Sequence, residues 1–148
     1  MAELRDTIED QRLRRLLDYW ESRRGGRRMP ARADIDPADI GFVLGYIMMV
    51  DVHHDPLRFY FRLIGTRTPR RHGIDFTGYF ADELPLPEVS AAIQASYTEA
   101  VEARAPSRVL RDQVHDGVRV NWEVLRLPLS NDGECVDGLM IGVIGRPR

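Results

Sequence analysis

Residues 57–65, LRFYFRLIG, alternate without a break: Leu57, Phe59, Phe61 and Leu63 on one parity, Arg58, Tyr60 and Arg62 on the other. Successive side chains on a strand point to opposite faces, so this stretch reads as half-buried β. An apolar run, YIMMVDV (46–52), precedes it across the turn residues HHDP (53–56), and the two form a hairpin. A long helix then intervenes: Val89, Ile93, Tyr97, Ala100 and Val101 share a face of 87–104, Pro87 suits the first turn, and Ala105-Pro106 stops it. Three strands follow, at 107–115, from Val118 onward and at 139–144, separated by the turn signals Asp116-Gly117 and SNDGE (130–134). In the second of these, apolar parity slips from Val120, Trp122 and Val124 to Leu125, Leu127 and Leu129, which predicts a β-bulge near Val124. Two strands, a helix and three strands give an α+β order: a five-stranded antiparallel sheet with helices packed on one face.

An amphipathic helix precedes this unit. Leu4, Ile8, Leu13, Leu16, Leu17 and Trp20 recur at helical spacing to about residue 22, and Gly25-Gly26 ends the pattern. A second, short helix is signalled by Asp36 as N-cap, with Pro37 at its first position and Asp39 in its first turn. The expected organisation is an N-terminal helix with an Arg/Gly-rich linker (1–32) and one α+β domain (33–148). At 148 residues the chain can bury roughly two thirds of its unfolded surface, enough for a core without staples. A single cysteine, Cys135, precludes an internal disulfide. The charged start and the lack of any apolar run near 20 residues predict a soluble, cytoplasmic protein with no membrane contact.

All 21 basic residues are arginine, which reads as coding bias rather than as a ligand preference. Arg23, Arg24, Arg27, Arg28 and Arg32 cluster around Gly25-Gly26, but the net charge is −2 and Asp18 and Glu21 interleave with them. Nucleic acid is thus an unfavoured partner, and a solvated linker or a docking surface for an acidic protein fits better.

The segment between hairpin and long helix is irregular and contains GIDFTGYFADEL (73–84). Together with LLDYWESRRGGRRMPARADIDPADI (16–40), FYFRLIGT (59–66) and NWEVLRLPLSNDG (121–133), in that order, it resembles the PAS domain, and more narrowly a group of short stand-alone bacterial PAS-like proteins. The resemblance spans about residues 16–145 and implies a sensory or interaction module rather than an enzyme. It implies that Gly73 and Gly78 serve sharp turns beside a pocket wall, that Asp75 and Thr77 hold the turn through local bonds, and that Phe76 plugs the core. TRTPRRH (66–72) departs from the apolar residues that precede the first glycine in such proteins.

Phe61, Tyr97, Trp122 and Met140 are the candidate ligand-binding residues, as inner-face side chains that suit either a small-molecule cavity or a filled core. No cofactor is expected. Cys135 lies in the final turn and not in the helix a flavin photosensor needs, and 87–104 offers no His for haem. Asp51, His53 and Asp55 could share one side of an extended strand, yet HHDP is ordinary turn composition and no second ligand cluster accompanies it, so no metal is expected. No catalytic residue is assigned, because the chain lacks G-x-S-x-G, H-E-x-x-H and G-x-x-x-x-G-K-[ST]. The alternative is a small cone-shaped α+β enzyme of isomerase or dehydratase type, with His115, Tyr97 and an Asp as an acid–base site; Asp82-Glu83 reads as a helix-opening pair. The stripe Leu13, Leu16, Leu17 and Trp20 suits either a homodimer interface or packing on the chain's own sheet. Output is expected to pass to a protein partner.

Overall fold

The structure, a computed structural model, describes residues 2–68, 75–115 and 117–147, with the side chains of His115 and Pro147 outside that description. Helices α1 (Ala2–Thr7) and α2 (Gln11–Arg24) open the chain. Short 3-10 turns at Arg32–Asp34, Pro37–Ile40 and Leu44–Tyr46 lead into strands β1 (Ile47–His53) and β2 (Arg58–Ile64). A further 3-10 turn, Ala81–Glu83, precedes α3 (Pro87–Ala103), and β3 (Ser107–His115), β4 (Val118–Leu129) and β5 (Gly138–Pro147) complete the fold. The strands form one antiparallel sheet in the order β2-β1-β5-β4-β3.

The amphipathic start is two helices rather than one, because Asp10 caps a new one. Its side chain accepts from the amides of Arg12 (2.8 Å) and Leu13 (3.3 Å), satisfying donors the first turn leaves open. Burial alone would raise the Asp10 carboxyl, but bonds from the Arg12 side chain and from the backbone hold it below its ordinary value. The residues around this cap are tied to the sheet: Glu123 of β4 accepts from the amides of Glu9 and Asp10, both at 2.9 Å, and from Arg108 of β3 at 2.6 Å.

From there α2 lies across one face of the sheet. Leu13, Leu16, Leu17 and Trp20 are buried, and the Trp20 indole donates to the carbonyl of Pro128 (2.8 Å). A Cβ placed on Gly142 of β5 would lie 2.7 Å from Leu13 Cδ2 and 3.2 Å from Leu16 Cδ2, so the helix seats on that glycine. The stripe that suits a dimer interface is therefore occupied within the chain, where burying four large apolar side chains yields several kcal/mol at roughly 1.5–3 each.

Covering this second face also accounts for the parity slip in β4. Leu125 to Leu129 are buried without interruption because α2 takes one face and the α3 side the other. The pairing of β4 with β3 and β5 runs through Val124 in continuous register, so no bulge sits there. The irregularity lies instead in the first hairpin, where Met49 pairs with Leu63 but Val50 with Phe61, leaving Arg62 as the extra residue. That bulge lets Phe61 and Ile64, three residues apart, face the same side.

Candidate functional site

The opposite face of the sheet carries α3. Cross-strand pairs place Met48, Ile141, Val143, Val124, Trp122 and Arg111 on this side, since directly opposed residues share a face. Arg126, 3% exposed, ties the helix down: its guanidinium donates to the Ser96 carbonyl (2.7 Å) and hydroxyl (3.0 Å), to Glu99 (2.7 Å) and to Ser107 Oγ (3.0 Å). The bond from Arg126 holds the Glu99 carboxyl below its usual value. Tyr97, one residue on from Ser96, packs edge-on against Phe59 (5.5 Å between ring centroids) and Phe61 (6.2 Å).

The glycine motif forms the remaining described wall. Asp75 Oδ1 accepts from Thr77 N (3.0 Å) and Thr77 Oγ1 (2.7 Å), while Gly78 sits at φ +86°, a conformation that favours glycine. Gly78 N donates to the Phe61 carbonyl (2.9 Å) and Phe61 N to the Tyr79 carbonyl (3.0 Å), which clamps the loop along β2. Phe76 is thereby buried against Phe61, with centroids 5.7 Å apart. Gly73, and with it most of TRTPRRH from Pro69 on, lies outside the described residues.

Between α3, this loop and the sheet lies a cavity of about 100 Å³. A single buried water needs roughly 10–15 Å³, so the space exceeds what one solvent molecule fills. Its walls are mainly apolar, from Met48, Phe61, Ile64, Phe76, Ile93, Trp122, Val124, Ile141 and Val143, with Asp75, Ser96, Tyr97, Arg111 and Gln113 as the polar members. The Trp122 ring lies across Gly145, its cross-strand partner: a Cβ there would sit 2.4 Å from Trp122 Cζ3. Glycine at that point fixes the indole as the cavity wall.

Among the described residues, the Tyr97 hydroxyl has no hydrogen-bond partner although the residue is only 4% exposed. Burial pushes its phenol pKa well up, against a smaller opposing pull from the charges of Arg111 and Arg126. The hydroxyl borders the cavity, so an occupant that bonds it gains a hydrogen bond worth about 0.5–1.5 kcal/mol. Arg111 and Gln113, two apart on β3, also project to this face and make no hydrogen bond to a described residue.

Of the four residues read from the sequence as ligand-binding, Phe61, Tyr97 and Trp122 line the cavity. Met140 does not: it pairs with Leu127 and faces α2, while its neighbour Ile141 occupies the cavity wall. Sequence reasoning passed over Arg111 and Gln113, because on their parity of β3 Val109 is the one apolar residue among Ser107, Val109, Arg111, Gln113 and His115 and the pattern does not mark that side as inward.

The other candidate groups are committed elsewhere. Asp51 is paired with Arg62, His53 meets Phe80 edge-on (5.4 Å between ring centroids), and no cluster of three metal-ligating side chains occurs among the described residues. Asp82 binds Arg58 (2.7 and 2.8 Å) and Glu83 accepts from Phe80 N (3.0 Å), so the acidic pair is structural. Cys135 Sγ lies 3.3 Å from His54 Nε2, but that nitrogen is 2.7 Å from the Val136 carbonyl. A carbonyl only accepts, so Nε2 carries a proton there and is no base toward the thiol. In the basic cluster, Arg23 reaches the Asp34 carbonyl, Arg24 pairs with Glu21, Arg27 with Asp34, and Arg32 with the Ile35 carbonyl. The side chain of His115 lies outside the described residues.

No described helix is long and apolar enough to cross a membrane. No curated protein and no solved structure matches the chain. The family comparison does: the PAS domain profile matches residues 8–144, from just before the cap of α2 into β5. A sheet in the order β2-β1-β5-β4-β3, with a cavity under the one long helix, is thus the PAS architecture, and this chain belongs to the PAS domain family.

Proposed function

We propose that this chain is a regulatory, non-catalytic sensor whose cavity takes a small molecule and reports its presence through α2. PAS domains are sensory and regulatory modules. The observation that carries the ligand reading is the cavity of about 100 Å³ lined by Tyr97, whose hydroxyl has no partner among the described residues. Strand β4 supplies the coupling. Trp122 contacts the cavity, and the next residue, Glu123, points to the other face and holds the amides of Glu9 and Asp10 at the start of α2. A ligand that favours one position of Trp122 over another shifts the position of that helix by its differential affinity for the two states.

We read the face beside α2 as the route outward. Leu110 (46% exposed) and Val114 (68%) stand unpacked on edge strand β3, on the same face as α2, and offer an apolar contact to a second copy of this chain. Native mass spectrometry of the purified protein, before and after denaturation, tests both parts. A small molecule released on denaturation from a folded dimer is the expected result. A folded monomer with no adduct, unchanged by a metabolite extract, contradicts the reading.

A further inference from the structure

We infer that the cavity selects a small monocarboxylate with an apolar body, its carboxylate held by Arg111. This rests on the proposed ligand-binding role and adds the chemical class. Five other strand arginines, Arg58, Arg62, Arg108, Arg126 and Arg146, each meet a carboxylate of the chain, and Arg119 is exposed to solvent. Arg111 has no such partner among the described residues, yet it lines the cavity and is partly withdrawn from solvent. A guanidinium presents a planar fork that matches a carboxylate in two parallel bonds.

The donors around it agree in kind. Gln113 lies two residues along the same face of β3, and the Tyr97 hydroxyl, without a partner among the described residues, borders the same space. The acid in the lining, Asp75, stands on the loop wall with Oδ1 bonded to Thr77, whereas Asp112 points to the far face of the sheet. Beyond these groups the walls are Phe61, Phe76, Ile93, Ile141 and Val143, which suit a hydrocarbon tail.

The test is an NMR titration of the full chain with three probes of one shape: isovalerate, isovaleramide and isopentylamine. Isovalerate is expected to shift the Trp122 indole and Arg111 resonances and to bind about 10- to 100-fold more tightly than the amide, as a charge-assisted pair requires. Arg111→Gln is expected to abolish that preference while leaving amide binding within about twofold. Because Arg111 bears no ion pair to a described residue, the variant should keep the wild-type spectrum outside the cavity. Amide and acid binding equally well, with cavity shifts, would overturn the carboxylate inference and leave the ligand-binding role standing. Failure of all three probes to perturb any cavity resonance would remove both.

Discussion

Replacing Gly142 by alanine tests how α2 is seated. The added Cβ would fall 2.7 Å from Leu13 Cδ2, short by roughly 1 Å of the ~3.5–4.0 Å at which carbon atoms pack. Overpacking of this kind costs about 1–3 kcal/mol. Alanine is better than glycine in a strand by about 0.5–1 kcal/mol, which offsets part of the loss. Leu13→Ala alone empties a fully buried site and should cost about 2–5 kcal/mol. It also removes the atom the new methyl would strike, leaving only Leu16 Cδ2 at 3.2 Å. The double variant should therefore be more stable than the sum of the singles predicts, by about 1–3 kcal/mol, and the strand preference cancels from that coupling. Urea unfolding followed by tryptophan fluorescence measures all four proteins, with the slopes checking that the unfolded states are comparable. Additivity within about 0.5 kcal/mol would refute the packing of this helix on Gly142.

Tyr97→Phe removes a hydroxyl that has no described partner, so the ligand-free variant should be as stable as the parent or up to about 1 kcal/mol more so; a loss above that in thermal unfolding would mean the hydroxyl is satisfied. Asp10→Ala deletes a cap and should cost about 1–2 kcal/mol at neutral pH. Because the folded-state pKa of Asp10 is lowered, its charge stabilises the fold fully above the unfolded value near 4 and less as pH falls below it. The gap between parent and variant in denaturant midpoint should accordingly narrow below about pH 4, and a gap constant to pH 2.5 would contradict the cap's charge contribution.

Much of the sheet was legible because LRFYFRLIG alternates and one of its faces is solvated. Helix 87–104 was equally plain, with its proline start and one apolar face. Periodicity failed where both faces are covered. In LMIGVIG (139–145) nearly every side chain is buried, so nothing in the pattern tells Met140 from Ile141, and one register step exchanges the cavity for α2. The same double covering made Leu125 to Leu129 imitate a bulge, while the true bulge, at Arg62, hid inside an unbroken alternation. The division at Asp10 was readable in principle, since an acidic residue before a helical run is a cap signal, but continuous apolar spacing masked it. Arg111 and Gln113 belong to the cavity through tertiary placement, which β3's polarity alone does not reveal.

Methyl NMR of the protein under xenon pressure tests the hollow site most directly, because xenon enters apolar cavities whatever their natural ligand. The account predicts saturable shifts at the methyls of Ile93, Val124, Ile141 and Val143, which line the cavity, and none at Leu13, Leu16 and Leu127 across the sheet. Shifts absent from the first group, or equal in both, would contradict it.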